Sequence, residues 1–148
     1  MSTFPRGPVL VLEDSDEDFD TLEQAARMAG LTQQLYRVMT GDACLELLQG
    51  SGAPRLRPSV LLLDLNAPGM DGRETLVAIR AEPELQELPV VVLSTSSSPG
   101  DVAHCYGHGV NAYHVKPLRY DEHLQLLRDI FTYWLRRVEL PEGSGSDQ

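Results

Sequence analysis

Residues 59–65 read SVLLLDL, a run of valine and leucine with no polar residue between Val60 and Leu63, closed by Asp64. It is too short for a globular helix. An apolar run that does not alternate reads as a strand covered on both faces. Two further runs have the same form: PVLVL at 8–12, followed by Glu13-Asp14, and PVVVL at 89–93, followed by Ser94-Thr95. QLYRVM at 34–39 and NAYHV at 111–115 are weaker strand candidates. Strands buried on both faces need helices above and below, and the intervening segments carry helix signals. Ser15 with Asp18, Asp71 with Glu74, and Ser98 with Asp101 read as capping boxes, the last with Pro99 at the first helical position. Gly30, Gly50 and Gly107 or Gly109 fall where those helices would stop. Strand and helix thus alternate five times, the final helix running from about Tyr120 to Val138. Such alternation predicts an α/β, doubly wound (βα)5 fold around a five-stranded parallel sheet.

A chain of 148 residues, 42% hydrophobic and 23% charged, has the size and composition of one globular domain. The division expected is an N-terminal extension at 1–7, a domain at 8–140 and a disordered tail, PEGSGSDQ, at 141–148. Twenty-two acids against twelve bases give a net charge of -10, which repels phosphate backbones and argues against nucleic acid as a partner. MSTFPRGP lacks the apolar centre of a signal peptide, and no apolar run approaches a membrane span, so the expected location is the cytoplasm, with no membrane. Cys44 and Cys105 are too few and too far apart for a disulfide framework or a zinc site and read as buried thiols.

In a parallel sheet of this kind ligands collect at the carboxyl ends of the strands. Those ends bring Glu13, Asp14, Asp64, Ser94, Thr95 and Lys116 toward one shallow pocket, although they span a hundred residues of chain. Crowded carboxylates require a cation, and hard oxygen ligands suit Mg2+. A lysine and a hydroxyl beside such a cluster match what the equatorial oxygens of a phosphoryl group require. Asp64 would be the nucleophile toward phosphorus. Lys116 is the only lysine; the other eleven cationic side chains are arginine. A site needing a compact ammonium would resist replacement by a planar guanidinium.

VLEDSDED (11–18), LLLDLNAPGMDG (61–72), VVVLSTSSSP (90–99) and NAYHVKPL (111–118) together resemble the receiver domain of bacterial two-component response regulators, a flavodoxin-like fold. The likeness covers about residues 8–138. LSTSSSP (93–99), CYGHGVNAY (105–113) and YWLRRVELP (133–141) resemble single-domain members that serve phytochrome-type sensor kinases. The resemblance implies that Asp64 accepts a phosphoryl group from a histidine kinase in a Mg2+-dependent reaction. Asp14 would bind the metal directly, Glu13 through water, and the Asn66 backbone carbonyl would add a ligand. Ser94 would move to the phosphoryl group, Tyr113 would be the aromatic switch, and Lys116 would reach between Asp64 and the phosphoryl oxygen. Lys116-Pro117 would be a cis peptide. The chain would be no turnover enzyme, its only chemistry being self-catalysed phosphoryl transfer and loss. Glu13 departs from the family's usual Asp-Asp pair.

Other readings fit less well. DSDED imitates the start of a calcium loop, but Phe19 stands where glycine is needed and Ala25 where the bidentate glutamate belongs. His104 and His108 have i, i+4 metal spacing without a third ligand. A Mg2+-dependent phosphohydrolase would want a carboxylate two residues after its nucleophile, where Asn66 stands, and a flavin site would be repelled by EDSDED. A receiver-shaped scaffold that is never phosphorylated is a further alternative. In the last helix Leu124, Leu127, Phe131, Trp134, Leu135 and Val138 share a face for the sheet. Leu126, Ile130, Tyr133 and Leu140 form a second stripe, expected to be exposed and to make a homodimer interface.

Overall fold

Successive residues of each inner strand point into two different cores. Val9, Val11, Val60, Leu62, Val91 and Leu93 pack on one side of the sheet, whereas Leu10, Leu12, Leu61, Leu63, Val90 and Val92 pack on the other. This is the two-residue period of a pleated strand, with apolar side chains demanded at both phases. The computed structural model describes residues 7–50, 55–66 and 71–141. Most of the expected N-terminal extension and tail, and part of the turn after Asp64, lie outside the described residues.

In chain order the elements are β1 (Val9–Leu12), α1 (Asp16–Met28), β2 (Leu35–Val38), α2 (Gly41–Gln49), β3 (Val60–Asp64), α3 (Gly72–Ala81), β4 (Val90–Ser94), α4 (Pro99–Gly107), β5 (Ala112–Val115) and α5 (Tyr120–Thr132). A short 3-10 turn, Pro83–Leu85, follows α3, and a π-helical turn, Tyr133–Arg137, extends α5. All strand pairs are parallel, in the order β2-β1-β3-β4-β5. The chain steps outward from β1 to β2 and then crosses to β3 on the other side. The switch point therefore lies at the carboxyl ends of β1 and β3.

The predicted caps form by their N-cap halves, while Ser15 N and Ser98 N donate to Glu13 Oε2 and Ser96 Oγ rather than to Asp18 and Asp101, so no reciprocal capping box closes there. Ser15 Oγ accepts from Asp18 N at 3.1 Å, Asp71 Oδ1 from Arg73 N and Glu74 N, and Ser98 Oγ from Gly100 N and Asp101 N. Gly30, Gly50 and Gly109 follow their helices with positive φ. Leu22, Ala25 and Ala26 of α1 join Leu127, Ile130 and Phe131 of α5 on one face of the sheet. Leu45 and Leu48 of α2, Leu76 and Ile79 of α3 and Cys105 of α4 cover the other. Cys44 and Cys105 are both buried free thiols. Among the described residues no helix is long and apolar enough to cross a membrane.

Two expectations are corrected. Ile130 does not lie on an exposed stripe: it is 3% exposed and belongs to the core shared with α1 and the sheet. α5 is enclosed on two sides, so its buried arc is wider than one sheet-facing stripe. Leu126 is half-buried against the same core, and Tyr133 is the exposed member, at 53%. Lys116-Pro117 is not cis, since no cis peptide occurs among the described residues. The trans form is the ordinary preference of an X-Pro bond, by about 0.5–1 kcal/mol.

Candidate functional site

β1 and β3 deliver the acids. The ladder continues one residue past β1, where Glu13 N donates to Val38 O at 3.1 Å. Glu13 and Asp64 are buried and Asp14 is exposed, yet each contributes an oxygen to a set whose atoms all lie within 4.8 Å of one another. Asp64 Oδ1 accepts from Asn66 N at 3.0 Å, which fixes the carboxylate's orientation. α3 begins almost in contact with this strand end. A methyl group on Gly72 would meet Leu65 Cα at 2.5 Å and Asp64 O at 2.7 Å, so only glycine allows the approach.

β5 delivers Lys116, anchored by its N–H to Ser94 O at 2.8 Å. Its side chain is 8% exposed, and Nζ stands 2.9 Å from Glu13 Oε1, 2.9 Å from Asp18 Oδ2 and 3.7 Å from Asp64 Oδ2. Burial opposes the ammonium. The hydrogen bond to Asp18 and the charges of Asp64 and Glu13 outweigh that cost and hold its pKa above the usual lysine value. Burial pushes the Glu13 carboxyl up to about 7, with Lys116 pulling it down and Asp64 pushing it further up.

The hydroxyl side of the pocket is a chain of hydrogen bonds. Ser94, fully buried, accepts at Oγ from Ser96 N at 3.0 Å. Half-buried Tyr113 donates its phenol to Ser96 O at 2.8 Å. Ser96 Oγ donates to Asp101 Oδ2 at 2.6 Å, and Arg73 grips Asp101 Oδ1 through Nε and Nη2 at 3.1 and 2.9 Å. The Ser96 hydrogen bond, then Arg73, hold the Asp101 carboxyl below its ordinary pKa.

The structure therefore brings Glu13, Asp14, Asp64 and Lys116 together; Ser94 adjoins them through its backbone bond to Lys116, and Tyr113 is tied to Ser94 through Ser96. Asn66 is described and exposed. His104 and His108 stack at 4.3 Å between ring centroids at the end of α4, with His108 Nδ1 donating to the His104 carbonyl, away from the acid cluster. Two contributors were absent from the sequence reading. Asp18 appeared there only as a capping residue and as part of the rejected calcium loop, although it stands in the first turn of α1, directly after the strand-end acids. Arg37 in β2 donates from Nε to Glu13 O at 2.8 Å, pairs with Asp16 at 2.9 Å and lies over Phe19, stapling the acid-bearing loop. No local pattern marks it.

Chemically, three converging carboxylate oxygens fit a divalent metal ion. One ammonium among four carboxylates leaves the pocket negative, which favours a cation first and a phosphoryl group only beside it.

The family model described as response regulator receiver domain matches residues 9–128. The response regulator Rcp1 of Synechocystis sp. is 35% identical over 141 residues, covering 93% of this chain and 95% of that protein. A crystal structure of the Mn2+-bound form of Rcp1 superposes with a TM-score of 0.85 at 34% identity, covering 91% of this chain and 99% of that one. The phosphorylated cyanobacterial phytochrome response regulator RcpA gives 0.85 at 32% identity, covering 93% and 99%. The probable methanogenesis regulatory protein FilR2 of Methanothrix harundinacea is 34% identical over 128 residues, 86% of this chain and 83% of that protein.

Proposed function

The chain belongs to the response regulator receiver domain family, and on that premise we propose that Asp64 is the phosphoacceptor of a phosphorylation-switched signalling module. The observation that carries the assignment is the convergence of Glu13, Asp14 and Asp64 oxygens within 4.8 Å, with a buried ammonium 3.7 Å from Asp64. Glu13, Asp14, Asp64 and the Asn66 carbonyl would hold Mg2+, which when bound neutralises charge on the transferring group.

An Asp64 oxygen attacks the phosphorus of a phosphohistidine. The new O–P bond forms as the P–N bond breaks, and the histidine nitrogen leaves with the electron pair. Lys116 donates to a phosphoryl oxygen. Ser94 releases Ser96 N and turns its hydroxyl to the phosphoryl group, and this loosens the loop that Tyr113 holds through Ser96 O. Water later attacks phosphorus, the O–P bond breaks, and Asp64 recovers its carboxylate as inorganic phosphate departs. No other catalytic turnover is assigned.

The donor proposed is a sensor histidine kinase of the phytochrome type, acting on this chain in the cytoplasm, supported by the likeness to RcpA over nearly the whole chain. A homodimer through α5 is supported by a groove of about 470 Å3 between β5 and α5, lined in part by Ala112, His114, Leu126 and Tyr133. Light scattering on the wild type and Leu126→Glu with Tyr133→Glu tests it; a wild type that is monomeric at every concentration reached would sink it.

Incubation with acetyl phosphate and Mg2+, read by intact-protein mass, tests the phosphoacceptor. The expected result is a labile adduct that requires Mg2+ and is missing from Asp64→Asn. A folded wild type that forms no adduct refutes the reading and favours an unphosphorylated scaffold.

A further inference from the structure

Lys116 Nζ is nearer to Asp18 than to Asp64. The two contacts at 2.9 Å, to Glu13 Oε1 and Asp18 Oδ2, are charge-assisted hydrogen bonds, whereas the 3.7 Å approach to Asp64 Oδ2 is an ion pair without one. The ammonium has three donors, so these partners take two. At 8% exposure the side chain has little water to fall back on. Asp18 is well placed to supply a partner, because its own N–H is tied to Ser15 Oγ in the cap of α1 and its carboxylate is 31% exposed.

We infer that Asp18 is a positioning residue of the phosphoryl site, holding the Lys116 ammonium on the α1 side, 3.7 Å from Asp64 Oδ2, so that Lys116 trades its hydrogen bond to Asp18 for one to a phosphoryl group on Asp64. The inference rests on the reading of Asp64 as phosphoacceptor. It has two consequences. While Lys116 is held by Asp18 and Glu13, the Asp64 oxygens carry no direct hydrogen bond from a cation and stay free for a metal ion and for attack on phosphorus. Second, a contact that is present in the free protein and lost in the bound one weakens binding by the free energy of that contact. Asp18 thereby sets how strongly the switch responds to a phosphoryl group. With Asp18 partly exposed, the contact is a moderate one, and its removal should tighten binding roughly two- to fivefold.

The test uses the full chain with Mg2+ and beryllofluoride, a mimic of the bound phosphoryl group, titrated by calorimetry for wild type, Asp18→Asn and Asp18→Ala. Because Lys116 is the only lysine, lysine-selective 15N labelling yields a single Nζ resonance that reports the ammonium's partner directly. The expected result is tighter beryllofluoride binding in both variants, Nζ resonances that differ between the free wild type and the variants, and convergence of those resonances once beryllofluoride is bound. Unchanged or weaker binding in the variants, with a wild type that binds, overturns the role of Asp18 and leaves the phosphoacceptor reading standing. A wild type that binds no beryllofluoride and takes no phosphoryl group overturns both. Thermal melts of the variants check that they fold, and Asp18→Asn keeps the size of the side chain should Asp18→Ala fail.

Discussion

Gly72→Ala should damage the site without touching any of its side chains. The added methyl would stand 2.5 Å from Leu65 Cα and 2.7 Å from Asp64 O, where ordinary contact begins at 3.4 Å. Both neighbours are backbone, so no rotamer change relieves the clash. The start of α3 and the end of β3 must separate by about 1 Å, an overpacking strain worth about 1–3 kcal/mol. The hydrogen bond from Gly72 N to Leu65 O, now 3.1 Å, stretches with it and forfeits up to about 1 kcal/mol. The gain in helix propensity offsets up to about 1 kcal/mol. The net expectation is a loss of about 1–3 kcal/mol in urea unfolding at unchanged slope. A displacement of that size at the carboxylate also slows phosphorylation from acetyl phosphate by up to roughly a hundredfold. Gly107→Ala is the control: nothing lies within 4 Å of its added methyl, so stability should hold or rise by up to about 1 kcal/mol. A Gly72→Ala protein as stable as wild type and phosphorylated at the same rate would refute the reasoning.

Two further outcomes follow from burial and charge. With Glu13 pushed up to about 7 from 4.5, the metal-free native chain keeps a proton there that the unfolded chain releases, so this carboxyl's contribution to stability falls as pH rises from about 4.5 to about 7. Mg2+ requires the ionised form, so its stabilising shift in melting temperature should grow over the same range, and Glu13→Gln should flatten that growth; a pH-independent Mg2+ shift in the wild type contradicts it. Ile130→Ala should cost about 2–4 kcal/mol because the side chain is buried, whereas Tyr133→Ala should stay within about 0.5 kcal/mol in the monomer. Equal costs measured by urea unfolding would count against the packing of α5 described above.

The strands were legible because their pattern carries its own explanation: Val60 to Leu63 cannot be apolar at both phases unless both faces of the sheet are covered. The acids were legible as the residues that end those strands. Asp18 was not, because its contact with Lys116 spans 98 residues of chain and depends on how the first turn of α1 lies over the end of β5. Arg37 escaped for the same reason, its partner Glu13 O being backbone on a neighbouring strand. Ile130 was misassigned because helical periodicity gives the direction a side chain points and not how many elements surround the helix. The Lys116-Pro117 bond was expected to be cis from family likeness alone, and no feature of the residues themselves required it.

The strand order gives the two halves of the pocket unequal stiffness. Glu13 and Asp64 lie at the ends of β1 and β3, each flanked by strands on both sides, whereas Tyr113 lies in β5 and Lys116 directly follows it, and β5 is an edge strand bonded only to β4. Amide protection should therefore be deepest behind the acids and shallower behind the lysine and the tyrosine. The pocket pairs a rigid anvil with a compliant spring: the metal-binding half can keep its shape while the half that must rearrange opens without unfolding the centre of the sheet.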